Sequence, residues 1–475
     1  MNQACIITDH KYGRKIKTEQ QVLSNVYALS RILDTKNRCI KIMWIYITAI
    51  AIVASMFQFV CFTKKFLSYP TVTSLLHKID DKDQYPSVTI CNLNRIKRTS
   101  DNCLKLALPW AVCYGNRVFF NGSYLILSER KNFFSCKRKQ KNTNSEEKNT
   151  IMGLLTKFAK LGLSERKSLG SKAETFITHC TFRGQQCNWK DFTLTHSLQY
   201  GNCFTFNSSK YFYGNEINKS YGYNKGLEII LNLETVNYLP LLSASVGAKV
   251  IIHDSFEEPN IEDKGFFISP GFQTSVSLRK TVVERLPSPF KDQCKNYKSE
   301  FTTQSDCIRR CIQKESYQEC GCIDPGIETK STGFRICNLT NSFQMCCLDN
   351  VIENMAIHGP ICPCPLPCLS TKYEEVVTRT KWPSQKYFYE YQIHQLNLTD
   401  FQTHIETFKW FHTFLDIYSD TYEMDLIKQE SMFESSELYS CLGGNLGLFL
   451  GISFAVVFEI VEFVIVMLIN FVRQF

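Results

Sequence analysis

Residues 438–458 read LYSCLGGNLGLFLGISFAVVF, without a charge, and the run stays largely apolar to Val472 with Glu459 and Glu462 as its only charged side chains. A helix crossing a bilayer needs about 20 apolar residues, because every backbone polar group must be satisfied inside hydrocarbon. This stretch is more than long enough. From Leu442 to Val472 a single helix would measure roughly 46 Å against a hydrocarbon core of about 30 Å, so a tilt or a break is required. Gly443, Gly444, Gly447 and Gly451 are the natural place for one. Small residues in a membrane helix also serve close helix packing, and Gly443, Gly447 and Gly451 have the small-xxx-small spacing for it. Glycine spacing alone does not separate the two readings. The acids beyond do: Glu459 and Glu462 share a helical face, and a carboxylate in hydrocarbon costs several kcal/mol unless it meets water or a partner. About ten largely apolar residues still follow Glu462, which disfavours both acids reaching the headgroups. Two helices of one chain cannot enclose a polar path, whereas a symmetric ring of chains can.

Outward from there, Ile42 to Phe62 is a second uncharged apolar run. Lys11, Arg14, Lys15, Lys17, Arg31, Lys36, Arg38 and Lys41 precede it against Asp9, Glu19 and Asp34, so the positive-inside bias places the N-terminal segment in the cytoplasm. The expected organisation is a cytoplasmic segment 1–41, a first span 42–62, an external domain 63–440, a second span 441–472 and a cytoplasmic tail 473–475. The first apolar run begins too far in, and lacks a small-residue cleavage site, to be a signal peptide. The expected location is the plasma membrane, multi-pass, with both termini cytoplasmic.

Cysteine usage agrees. Of 22 cysteines, 11 fall between Cys294 and Cys368, a density suited to an oxidising compartment where disulfides staple a region of modest core. Zinc is the competing reading, but Cys307-x3-Cys311, Cys320-Gly-Cys322 and Cys362-Pro-Cys364 lack paired knuckles and nearby ligand histidines, so no metal is expected. Sequons at Asn121, Asn207, Asn218, Asn338 and Asn397 all lie in the external segment. The net charge of +9 is carried largely by the cytoplasmic head and by a solvated stretch from Lys131 to Lys148, which argues against a nucleic-acid partner.

Within the external domain, Ser87 to Ile90, Gly201 to Phe206, Leu227 to Leu233, Lys249 to Ile252 and Thr274 to Leu278 read as strands between Gly, Asn and Pro turns. Thr150 to Leu163 and Asp306 to Glu319 have helical spacing, the second capped by Ser305 or Asp306. The expected class is a membrane protein with two transmembrane helices and a large disulfide-rich α+β ectodomain. No nucleophile elbow, zincin motif or phosphate loop is present, and His179, His196, His253 and His358 are scattered, so an enzyme is not expected.

Several stretches together resemble the degenerin and epithelial sodium channel family, in particular its acid-sensing and neuropeptide-gated branch: Tyr85-Pro86-Ser87-Val88-Thr89-Ile90-Cys91-Asn92-Leu93-Asn94, Gly201 to Asn207, Arg285 to Phe290, Cys320-Gly321-Cys322, Trp382-Pro383-Ser384 and Gly443-Gly444 through Ser453. The resemblance implies a clenched-hand ectodomain with a disulfide-rich thumb at about 285–370. It implies a homo- or heterotrimer with related subunits in membrane lipid, and a sodium-selective pore blocked by amiloride. Sodium is then the permeant species and no cofactor is expected. Gly451, Ile452 and Ser453 match the family's selectivity filter, where small residues let backbones converge so that carbonyls replace part of a cation's hydration shell. Ser440 matches the site where bulky side chains hold family pores open. Gly443, Gly444, Gly447, Leu448, Glu459 and Glu462 complete the expected pore and gate. Tyr69 and Phe290 match the aromatic wrist contact, with Phe290 in place of the usual tryptophan and able to stack on Tyr69.

The resemblance further implies disulfides Cys91 with Cys203, Cys180 with Cys187, Cys294 with Cys368, Cys307 with Cys364, Cys311 with Cys362 and Cys322 with Cys337. Cys320 takes Cys346 or Cys347. No pairing follows for Cys103, Cys113 and Cys136. Three departures stand out. The cytoplasmic His-Gly pair of the gating motif is Tyr27-Ala28, the histidine pair that aids proton response is Pro70-Thr71, and the aspartate before the glycine pair gives way to Cys441-Leu442. The expected function is a sodium channel subunit opened by an extracellular neuropeptide or by protons. Constitutive or mechanical opening is the alternative, and a non-conducting cysteine-rich receptor is more distant. Another trimeric two-span class, the extracellular-ATP receptors, lacks the filter motif.

Overall fold

The computed structural model describes residues 35–80, 85–99, 145–208, 226–239, 245–255, 257–297, 303–327, 333–358, 362–392 and 401–451, with scattered positions between and beyond them. In chain order the principal elements are α1 (Arg38–Leu67), β1 (Thr71–Ile79), β2 (Ser87–Asn92), α2 (Ser145–Lys160), α3 (Leu163–Leu169), β3 (Ile177–Phe182), β4 (Gln185–Cys187), β5 (Phe192–Ser197), β6 (Gly201–Phe206), β7 (Leu227–Asn232), β8 (Ala248–His253), β9 (Phe266–Ile268), β10 (Phe272–Glu284), α4 (Gln304–Cys320), α5 (Ser342–His358), β11 (Leu369–Lys381), α6 (Gln385–Gln392), α7 (Phe401–Phe411), β12 (His412–Ser431) and α8 (Ser435–Leu450). They divide into two compact units. One holds the two apolar helices with residues 288–291, and the other holds nearly all the strands and the cysteine-rich segment.

In the larger unit two sheets share one core. The first has the order β11-β10-β12-β7-β3-β4 with β1 added on β12, and the second the order β5-β6-β2-β8-β9. β10 and β12 run parallel, while the other registered pairs are antiparallel. Val88, Ile90, Phe204 and Phe206 of the second sheet join Leu227, Ile229, Leu231, Val276, Leu278, Leu415 and Ile417 of the first in a single buried cluster. β2 and β6 are buried at every position, which explains why they read as near-continuous apolar and β-branched runs rather than clean alternation.

The cysteine-rich segment has two helices. The hydroxyl of Thr303 accepts from the Asp306 N–H and caps α4, and Gly321 closes it in the left-handed region at φ 68°. This corrects the expected cap at Ser305 or Asp306. Thr303 has the extended backbone that a cap requires, and both expected residues lie inside the helix. The other expected helix begins earlier than its apolar spacing suggested, at Ser145, and ends at Lys160.

In the smaller unit, α1 extends beyond the expected first span at both ends, with Asn37 as its cap and Lys64 and Lys65 in its last turn. Among the described residues it is the one helix long and apolar enough to cross a membrane. α8 runs 16 residues and stops at Gly451, whose φ of 66° places it in the left-handed region that glycine adopts without strain. The break required by the length of the apolar stretch therefore falls at the last of the four glycines.

Candidate pore helix and its coupling residues

On α8 the positions 440, 444, 447, 448 and 451 follow one another at helical spacing and share one face. Ser440, Gly444, Gly447, Leu448 and Gly451 are all exposed, Leu448 to 80%. Asn445 is the buried residue of this helix, as Ser55 is of α1. A Cβ built at Gly443, Gly444 or Gly451 meets nothing within 4 Å. Within the chain these glycines make room for no neighbour, and the face they form, small and slightly polar, is left uncovered. Gly451 donates its N–H to the Gly447 carbonyl at 3.1 Å, closing the helix at the first residue of the Gly451-Ile452-Ser453 stretch. Glu462 is helical and exposed. Ile452, Ser453 and Glu459 lie outside the described residues, as do Tyr27, Ala28, Asn121, Asn218, Asn397, Cys103, Cys113 and Cys136.

Tyr69 and Phe290 are brought together with ring centroids 5.7 Å apart at 78°, an edge-to-face contact in place of the expected stack. Tyr69 sits between α1 and β1 with φ 47°, a strained conformation for a non-glycine residue. Nearby in the same unit Phe62 meets Phe433 at 5.5 Å edge-on, and Lys65 lies 5.4 Å over the Phe433 ring. These contacts tie the C-terminal end of α1 to the residues that lead into α8.

Seven disulfides are present among the described residues: Cys91–Cys203, Cys180–Cys187, Cys294–Cys368, Cys307–Cys364, Cys311–Cys362, Cys320–Cys347 and Cys322–Cys337. Cys347 is therefore the partner of Cys320, and Cys346 is disulfide-bonded separately. No group of three or more metal-ligating side chains occurs among the described residues.

Sequence reasoning missed an ionisable row on the larger sheet. Asp416 of β12 stands opposite Glu228 of β7, which in turn stands opposite Thr181 of β3 and accepts its hydroxyl at 3.1 Å. Asp416 is 1% exposed, and neither of its carboxylate oxygens has a hydrogen-bond partner among the described residues. Burial, followed by the charge of Glu228, pushes this carboxyl up to about 6. Burial likewise raises Glu257, with Asp254 adding to it. Toward the other end of β12, Asp425 takes His77 Nδ1 of β1 at 2.6 Å and Arg279 Nε of β10 at 3.5 Å, while Lys280 reaches Asp80 at 2.7 Å. The available signal for Asp416 was an acid inside the apolar run Phe414-Leu415-Asp416-Ile417.

Residues 23–463 match the sequence family described as ASC, amiloride-sensitive sodium channel. The chain belongs to this family. It is 31% identical over 312 residues to the epithelial sodium channel subunit alpha of Xenopus laevis, covering 62% of this chain and 48% of that one. It is 28% identical over 423 residues to acid-sensing ion channel 1 of Gallus gallus, covering 83% and 73%, and 24% identical over 475 residues to acid-sensing ion channel 4-B of Danio rerio, covering 95% and 76%. The chain spans about half the length of the epithelial channel relatives it matches. A solved proton-activated chloride channel aligns with a TM-score of 0.30 and 8% identity, covering 90% of this chain and 96% of that one, too distant to argue from. Members of the family are ion channels, and the relatives named above are an epithelial sodium channel subunit and two acid-sensing ion channels.

Proposed function

We propose that this chain is one subunit of a trimeric, amiloride-sensitive, sodium-selective channel of the plasma membrane, spanning it twice with both termini in the cytoplasm. The observation that carries the reading is the uncovered face of α8, where Ser440, Gly444, Gly447 and Gly451 lie in line and end at the helix break. In a threefold assembly such faces converge on the axis, and the break turns backbone carbonyls of the filter toward a passing sodium ion. Tyr69 and Phe290 then carry movement of the external domain to the spans, and an extracellular peptide or protons supply the stimulus. Pro70-Thr71 and Tyr27-Ala28 weaken the case for simple proton gating and favour assembly with sister subunits.

The test is electrical. Ser440→Trp, expressed alone and with related subunits, is expected to hold the pore open and give a standing amiloride-blocked sodium current. Absence of any such current in every combination, with the protein at the surface, sinks the channel reading and leaves a non-conducting receptor.

A further inference from the structure

Of the five sequon asparagines, Asn207 and Asn338 lie among the described residues, and their surroundings differ. Asn338-Leu339-Thr340 occupies the turn between Cys337 and α5, and both Asn338 and Thr340 are exposed while Leu339 is buried between them. Asn338 Oδ1 accepts from the Thr340 N–H at 3.2 Å and from the Thr340 hydroxyl at 2.8 Å. The Asn338 N–H donates to Gln344 Oε1 at 2.7 Å, and its carbonyl accepts from the Asn341 N–H at 3.0 Å. The sequon is thus held in a turn in which the threonine hydroxyl polarises the amide oxygen. Among the described residues the amide nitrogen Nδ2 makes no hydrogen bond. Asn207 differs. It follows the fully buried strand β6, and the middle residue of its sequon, Ser208, is 1% exposed and donates to the Tyr85 carbonyl at 3.1 Å.

We propose that Asn338 carries an N-linked glycan, transferred from a lipid pyrophosphate-linked oligosaccharide. Electron density drawn toward Oδ1 acidifies the Nδ2–H bonds, and a carboxylate of the transferase takes up the proton, which leaves the nitrogen an electron pair with which to attack. The Nδ2–C1 bond to the first sugar forms as the C1–O bond breaks. The oxygen leaves with both bonding electrons on the lipid pyrophosphate. Leu339 anchors the turn in the small core formed by Met152, Cys322, Cys337, Met345 and Leu348, so the sugar projects from a fixed base on the cysteine-rich segment rather than from a loose loop. The disulfide Cys322–Cys337 ends at the preceding residue, which puts bond formation and sugar transfer in the same oxidising compartment. The proposal rests on the external placement of this segment and not on conduction.

The experiment uses the full chain expressed in animal cells and recovered from the surface. After enzymatic deglycosylation in oxygen-18 water, the peptide containing residue 338 is expected to show Asn-to-Asp conversion with the heavy label. Asn338→Gln and Thr340→Ala should each lose one glycan step on a gel, while Thr340→Ser keeps it. If a variant fails to reach the surface, the wild-type peptide still decides. An unmodified Asn338 in the surface protein overturns the proposal, whatever sodium current the chain carries.

Discussion

The sheet core and the cysteine-rich segment solve the same problem by opposite means. Between the sheets a large cluster of buried aliphatic and aromatic side chains, among them Phe176, Phe182, Phe204 and Phe206, excludes water on its own, and among the described residues two disulfides accompany it. From Cys294 to Cys368 the buried cluster shrinks to a few residues around Leu339 and Leu348, of which Cys322 and Cys337 are themselves members, and among the described residues five bridges join parts of this segment to one another, with Cys346 disulfide-bonded in addition. Where burial cannot offset chain entropy, cross-links that restrict the unfolded ensemble do. These two parts of one chain should therefore fail differently.

The largest effect is expected from the core. Phe204 is buried against Phe176 with ring centroids 5.6 Å apart. Phe204→Ala should cost about 3–5 kcal/mol, as read by thermal unfolding of the purified chain. A loss under about 1 kcal/mol would mean that the cross-links rather than burial carry the sheets, and the comparison breaks.

Next comes the stapled segment. Serine at both Cys311 and Cys362 should cost about 2–5 kcal/mol, with faster hydrogen exchange confined to α4 and α5 and none in β2 or β6. A mild reductant should open Cys311–Cys362 before Cys91–Cys203, because both cysteines of the latter are 0% exposed. Reduction in the reverse order counts against the division drawn above.

How far the sequence announced all this differs by region for physical reasons. β2, β6, β7, β8 and β10 were legible, because buried strands select apolar and β-branched residues. β11 was not. Its Lys372, Glu374, Glu375, Arg379 and Lys381 look like a solvated loop, and it is a strand because it pairs residue for residue with β10. β12 was missed likewise, since Asp416, Asp420, Glu423 and Asp425 interrupt any apolar pattern. The choice of Cys347 for Cys320 needed α5, where adjacent residues point about 100° apart. The small residues of the α8 face were visible as identities, whereas their freedom from neighbours within the chain was not.

Asp416 makes the stability of the sheet core depend on pH. Its folded value of about 6 exceeds the ordinary 3.8, so the folded chain binds more protons between the two. Stability from this group is greatest below about 4, falls as pH rises through about 6 and then levels, a cost on the order of 2–3 kcal/mol. Asp416→Asn should flatten that part of the stability profile. A profile that keeps its slope assigns the titration to other groups, with Glu257, also raised by burial, the first to examine.

The smallest effect tests where the two regions meet. Arg309 of α4 donates to Glu262 Oε2 at 2.9 Å, and Glu262 takes the Ser197 hydroxyl at 3.1 Å on its other oxygen. The Glu262 backbone carbonyl accepts from Lys249, whose ammonium lies 4.6 Å over the Tyr200 ring. Only Arg309 in this set belongs to the cysteine-rich segment, and both side chains of the ion pair keep about a fifth of their surface exposed. Screening by water limits such a pair to about 1 kcal/mol. A double-mutant cycle of Arg309→Ala and Glu262→Gln isolates it from the Ser197 and Lys249 bonds, which the glutamine can retain. A coupling near 1 kcal/mol makes the pair a link through which loosening of α4 reaches the sheet. A coupling of zero makes the segment mechanically separate there, and Asn260 with Ser305, 3.0 Å apart, becomes the next contact to cut.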